Sequence, residues 1–233
     1  MSIPVVELIG GTGTEAVKLA PVARAMRAAG LLLPVMIAAG AQLTTVARAL
    51  ATFDLAPDLA LPAEALTDVI RRLDALWTQR RPAAVVVQGH SEIGLAGALA
   101  ATWRRIPVAH LSAGLRSDEF GAPAAHEANG RLIAQVAAVH LVPVPIAAMN
   151  LIDEGVPARS ILLTGDTGYD AALVIAHRRL PTSRVAPVNA HSDGRAGQRA
   201  AQAVAALLGL APPPAPMPVP AVAGTTSTAT HGA

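Results

Sequence analysis

Up to residue 165 the chain is punctuated by six short apolar runs: IPVVELI (3–9), LLLPVMIAA (31–39), AAVVVQG (83–89), IPVAHL (106–111), AAVHLVP (137–143) and SILLTG (160–165). Between them lie stretches with helical apolar spacing, such as 15–29, 63–80, 93–104 and 126–136. A strand that is apolar throughout must be covered on both faces, and strand–helix alternation implies parallel strands joined by crossover helices. The predicted fold class is therefore α/β, a Rossmann-like parallel sheet with helices on both faces. In such sheets ligands bind beyond the carboxyl ends of the strands. That rule singles out residues 10–18, 40–42, 88–92, 110–116 and 164–167.

Two uncharged runs, 28–47 and 132–152, approach the roughly 20 residues that span a bilayer. Both are interrupted by Pro, Gly, Gln, Thr, His or Asn, and each reads as a buried strand joined to helical pieces. The amino terminus has no basic segment ahead of its apolar stretch, so no signal peptide and no membrane span are expected, and the expected location is cytoplasmic. The chain has no cysteine, which removes disulfides and thiolate metal sites. Its net charge is +2, with arginines scattered in ones and twos among acids, and two Trp, two Phe and one Tyr are its only aromatic residues. Neither a basic stripe nor stacking platforms are present, so a nucleic-acid partner is not expected.

The stretch GGTGTEAVKLAP (10–21) follows the first strand and opens the first helix. Such a junction aims backbone N–H groups and a helix dipole at whatever lies above it, which suits phosphates and carboxylates. Gly11 to Ala16 satisfies G-x-G-x-x-A, the dinucleotide fingerprint, which should bring an acid about 20 residues later to hold a ribose. The following strand region, LLLPVMIAAGAQLTT, has no acid, which argues against a nicotinamide cofactor. Of the 18 Lys and Arg residues the only lysine is Lys18, inside this motif.

Several motifs in one order resemble the non-hydrolysing UDP-N-acetylglucosamine 2-epimerases, two-lobed enzymes of the glycosyltransferase-B type. That family's G-T-R-P-E-x-x-K-x-x-P is matched by Gly11-Thr12-Gly13-Thr14-Glu15-Ala16-Val17-Lys18-Leu19-Ala20-Pro21. Its H-G-D-T, H-V-E-A-G-L-R and P-E-E-x-N-R lie along Gln88–Ser91, His110–Arg116 and Ala125–Gly130. Its N-L-x-x-E-G-V and T-G-N-T-x-x-D-A-L lie between Asn150 and Leu173. The likeness covers residues 5–175 and resumes at Asn189–Gly194, similar to the N-P-Y-G-D-G ahead of the family's last helix. The resemblance implies a single lobe of that architecture plus its returning helix, with the second lobe missing; an unrelated amphipathic helix at 195–208 is the alternative. The implied organisation is a lobe over 1–180, a linker over 181–194, the returning helix over 195–208 and a disordered Pro/Ala/Thr-rich tail over 209–233.

By the same resemblance the catalytic positions are Lys18, His90, Ser112, His126 and Glu127, and the substrate-binding positions are Gly11, Thr12, Gly13, Glu15 and Arg116. Family enzymes expel UDP to leave a glycal and re-add it after proton exchange at C2, which needs positioned acids and bases. The family's acids fall here on His90, Ser112 and His126, and two of its arginines on Gly13 and Gly130. Catalysis is therefore expected to be impaired or absent. The family ligand is a UDP-sugar, with no cofactor. The other reading is a non-catalytic lobe that binds a partner chain or a second copy, one that supplies the missing lobe. His90 and His126 are either a substituted acid/base pair or drifted positions. His110 reads as a structural histidine, and no H-E-x-x-H or comparable spacing supports a metal.

Overall fold

A computed structural model describes residues 2–116, 124–179 and 192–218. Within them run β1 (Val5–Gly10), α1 (Gly13–Ala29), β2 (Leu33–Ala39), α2 (Leu43–Ala51), β3 (Leu59–Leu61), α3 (Leu66–Gln79), β4 (Ala84–Gln88), α4 (Glu92–Trp103), β5 (Val108–Leu111), α5 (Ala124–Val136), β6 (Val139–Val142), α6 (Pro145–Asp153), β7 (Ile161–Leu163), α7 (Thr167–Arg179) and α8 (Ala196–Leu207). The strands form one sheet in the order β3-β2-β1-β4-β5-β6-β7, and every pairing is parallel. The fold class is α/β and Rossmann-like, as the apolar runs imply.

Alternation along the strands divides the core. Val6, Leu8, Met36 and Val86 face a layer built with α1 and α8, whereas Ile9, Ile37, Val85 and Val87 face Leu73, Trp77 and the apolar side of α4. Buried Glu7 lies between Ile9 and Val5 on the second face, where the Trp77 indole N–H donates to it at 2.6 Å and Arg80 approaches at 3.6 Å. Burial pushes its carboxyl up, against the lowering pull of Trp77 and Arg80.

Winding reverses between β1 and β4, which pair from Val6↔Ala84 to Ile9↔Val87. A crevice at such a reversal, beyond the strand carboxyl ends, is where ligands of this fold class sit. The loop beginning at Gly11 and the loop carrying His90 flank it.

The helix over 195–208 is present as α8 and lies along α1. Its Ala200, Ala201, Val204 and Ala205 are buried, and Gly197 meets α1 so closely that a Cβ there would stand 2.8 Å from the Pro21 carbonyl carbon. Asp170 of α7 accepts from the Gly197 N–H at 2.7 Å, a carboxylate set against a helix N-terminus. Burial raises the Asp170 carboxyl, opposed by those backbone N–H groups.

Of the stretch from 209 expected to be a disordered tail, residues up to 218 are described. Met217 is 3 % exposed, and its N–H donates to Leu163 O at the end of edge strand β7 at 2.8 Å. Met217 alone between Pro216 and Pro218 offers a donor, and the edge strand accepts it. Residues 219–233, and 181–191 of the expected linker, lie outside the described residues.

Candidate functional site

The β1–α1 junction has the expected strand–turn–helix form, yet the N–H groups of Gly11 and Thr12 turn inward to a side chain of the same helix. Thr12 is the N-cap of α1 and accepts from Glu15 N–H at 3.2 Å; the Glu15 carboxylate turns back to accept from Gly11 N–H at 2.6 Å and Thr12 N–H at 3.0 Å. This capping box fills the turn with the chain's own anion. The picture of Gly11 and Thr12 presenting free N–H groups is corrected on that ground. The Ser91 hydroxyl caps α4, accepting from Gly94 N–H at 3.0 Å.

Burial, ahead of the hydrogen bonds from Ser91, Gly11 and Thr12, raises the Glu15 carboxyl above its usual range. The folded state therefore holds this proton more tightly than the unfolded chain. Stability from this group is full below the ordinary carboxylate pKa and falls as pH rises through the elevated one. Glu15→Gln removes that titration. We predict that the stability difference, wild type minus variant, shrinks between about pH 4 and pH 8, read by urea denaturation at each pH. A constant difference would refute it.

His90 follows Gly89, whose N–H donates to Leu111 O, so the end of β4 sits beside Ser112 at the end of β5. Ser112 is buried and holds φ 57, a left-handed conformation that a non-glycine residue seldom adopts. His110 is fully buried; its Nε2–H donates to Gly89 O at 2.7 Å, and burial drives its pKa down to about 3. It is a neutral structural histidine, though its Nδ1 has no partner.

The structure brings His90 and His126 together: their ring centroids are 5.3 Å apart. Burial, then the charges of His126, Lys18 and Arg116, hold the His90 imidazole below its ordinary range. Arg116 is a bidentate partner of Glu154, the residue that ends α6, at 2.8 and 2.5 Å, which keeps the Glu154 carboxyl low. Glu127 pairs with Arg131, one turn along α5, at 2.6 Å. Lys18 lies 3.8 Å from Asp166. Gly13, where the resemblance has an arginine, faces Thr45.

Glu154 is not among the residues the sequence singles out, and Asp166 falls there only within 164–167, with no role of its own. Asp166 stands at the asparagine of T-G-N-T, and the exchange of an amide for an acid beside Lys18 was the available signal. Among the described residues no group of three or more His, Asp or Glu could hold a metal, and no helix is long and apolar enough to cross a membrane. A groove of about 1130 Å³ between α1, α7 and α8, walled by side chains such as Leu32, Leu173 and Val174, contains none of these candidate residues.

The model of the family described as UDP-N-acetylglucosamine 2-epimerase matches residues 36–208. A probable UDP-N-acetylglucosamine 2-epimerase of Ralstonia solanacearum is 30% identical over 179 residues, covering 73% of this chain and 48% of its own. The Neisseria meningitidis UDP-GlcNAc 2-epimerase bound to UDP-GlcNAc superposes with a TM-score of 0.70 at 28% identity, over 76% of this chain and 50% of that one. The S. aureus MnaA–UDP structure gives 0.70 and 28%, over 80% and 50%. The chain spans about half the length of the curated relatives it matches.

Proposed function

The chain belongs to the UDP-N-acetylglucosamine 2-epimerase family, and from that membership we propose that it forms one wall of a nucleotide-sugar cleft, in a cytoplasmic setting, and does not epimerise. The observation that carries this reading is the fate of the acids. His90, Ser112 and His126 stand at three family carboxylate positions, and of the acids nearby Glu15, Glu127, Asp166 and Glu154 are each engaged by a neighbour, while Glu92 heads α4 in solvent. Among the described residues none of the four engaged acids is free to take a proton from C2 of a sugar.

The ligand class is proposed from the relatives, whose structures hold UDP and UDP-GlcNAc. With Gly13 in place of an arginine, one bidentate phosphate contact is missing, a charge-assisted bond worth about 1.5–3 kcal/mol. Binding of UDP or UDP-N-acetylglucosamine is predicted at about millimolar or weaker. Incubation with UDP-N-acetylglucosamine in heavy water, followed by NMR, is predicted to show no deuterium at C2. Deuterium that depends on His90 or His126 would restore an enzyme with substituted acids, and micromolar binding abolished by Lys18→Ala would refute the weak cleft.

A partner chain or second copy is the complementary proposal, favoured by one observation. Of the exposed large apolar side chains, Ile146, Met149 and Ile152 lie three apart along α6, on one face of that helix, and an apolar stripe open to solvent marks an interaction site. Light scattering of the purified chain tests it; a monomer at every concentration removes the second-copy form.

A further inference from the structure

Past α8 the segment APPPAPMP (211–218) holds five prolines. Proline fixes φ near the value of an extended helix with three residues per turn, so Pro214 and Met217, three apart, share a face. Those two residues are buried, whereas the other four prolines of the segment are exposed.

The seat of Met217 lies at the carboxyl end of β7. Its N–H donates to Leu163 O at 2.8 Å. Gly165, at φ 91, forms the floor: a Cβ there would stand 3.0 Å from the Met217 sulfur and 3.5 Å from Ala196 Cβ, so the thioether rests where only glycine leaves room. Arg199 of α8, gripped by Asp193 at 2.8 and 2.5 Å, donates to Thr164 O at 3.2 Å. The tail and α8 thus take the carbonyls of two consecutive residues, Leu163 and Thr164. Gln202 Nε2 donates to Pro212 O at 3.0 Å and lays the segment along α8.

We propose that residues 211–218 are a releasable strap, whose Pro214 and Met217 occupy a recognition site for a Pro-x-x-Met segment formed by the end of β7, Gly165 and the first turn of α8, and that the seated strap holds the 164–166 loop. The inference is independent of the proposed cleft and needs no nucleotide. β7 is the edge of the sheet, and an extended segment that hydrogen-bonds an edge while its side chains enter pockets is a general mode of peptide recognition. The prolines limit the conformational entropy lost on docking. Met217 stands apart from the two apolar layers that cover the sheet, so the strap can leave without opening either. The loop it holds continues into Asp166, whose Oδ1 accepts from Gly168 N–H at 2.9 Å and lies 3.8 Å from Lys18. Seating the strap therefore steadies the acid that faces the lysine.

Amide hydrogen exchange of the full chain, read by mass spectrometry, tests the strap. Met217→Asp places a charge in the seat and is expected to speed exchange over residues 163–168 by about tenfold, with β1 and β4 unchanged. Ala215→Asp puts the same charge on an exposed residue of the same segment, and Met217→Leu keeps an apolar side chain in the seat; both are expected to exchange like the wild type. A free peptide of residues 211–218, added to Met217→Asp at millimolar concentration to match a tethered segment, is expected to restore protection. Unchanged exchange at 163–168 in Met217→Asp overturns the proposal. Acceleration that extends equally to β1 and β4 also overturns it, because Met217 is then a core residue of the whole fold. Failure of the peptide to restore protection, or equal restoration by a peptide with Ala in place of Met217, removes the recognition site.

Discussion

Gly114→Ala will destabilise the fold by about 4 kcal/mol or more, a loss reserved for severe steric or burial defects. Gly114 has φ 77, and a Cβ built there would stand 2.8 Å from the Ala147 carbonyl carbon and 3.0 Å from Leu151 Cγ, with the Ala147 oxygen nearer still. The obstacle is largely backbone of α6, so no rotamer relieves it. The loop is also held in place, because Asn150 Nδ2 donates to Gly114 O at 2.9 Å and Arg116 two residues on grips Glu154. Gly155→Ala supplies the control. Its φ of 83 imposes the same conformational penalty, about 1 kcal/mol, yet nothing lies within 4 Å of the added carbon. Urea denaturation of both variants separates the two effects. Equal losses would show that α6 yields to the methyl group.

The second large effect is expected from removing α8. A chain ending at Arg179 exposes the surface of α1 that Ala200, Ala201, Val204 and Ala205 cover. It also leaves Asp170 without the Gly197 N–H. One Val and several Ala side chains, at about 0.8 kcal/mol per buried carbon group, sum to roughly 5 kcal/mol. Most domains have only about 5–15 kcal/mol to lose. Thermal melting should therefore show a collapse of the transition, with binding of an apolar dye at room temperature. Asp170→Asn in the shortened chain should recover part of the loss by removing a stranded charge. A melting temperature equal to that of the whole chain would show α8 to be dispensable.

Elements announced by their own side chains were legible in the sequence. β1, β2 and β4 to β7 each coincide with an apolar run, because buried strands carry few polar positions, and exceptions such as Glu7 and His110 are too isolated to break the pattern. β3 was not legible: it is three residues long, half exposed, and set between Pro57 and Pro62. The candidate site followed the same division. His90, Ser112 and Arg116 could be placed because strand ends could be placed. Glu154 pairs with Arg116 across 38 residues, and Asp166, just ahead of α7, with Lys18 of α1 far away in sequence. Pairings made by the fold leave no local pattern. Glu15 shows the opposite difficulty, a local motif read outward as a ligand grip that the fold turns inward as a helix cap.

The bond between Asp170 and Gly197 has a consequence for how such a chain tolerates change in length. It fixes the start of α8 to α7 independently of whatever connects them, and the close seat of Gly197 on Pro21 fixes it to α1 as well. The entropy of a connecting segment grows only logarithmically, by about 0.6 kcal/mol per doubling. Once both anchor points are held by the host, the stretch between Arg179 and Ser192 becomes a socket. A short tether or an entire guest domain can occupy it at nearly the same thermodynamic expense, so modules can be gained or shed there while the scaffold on either side keeps its shape.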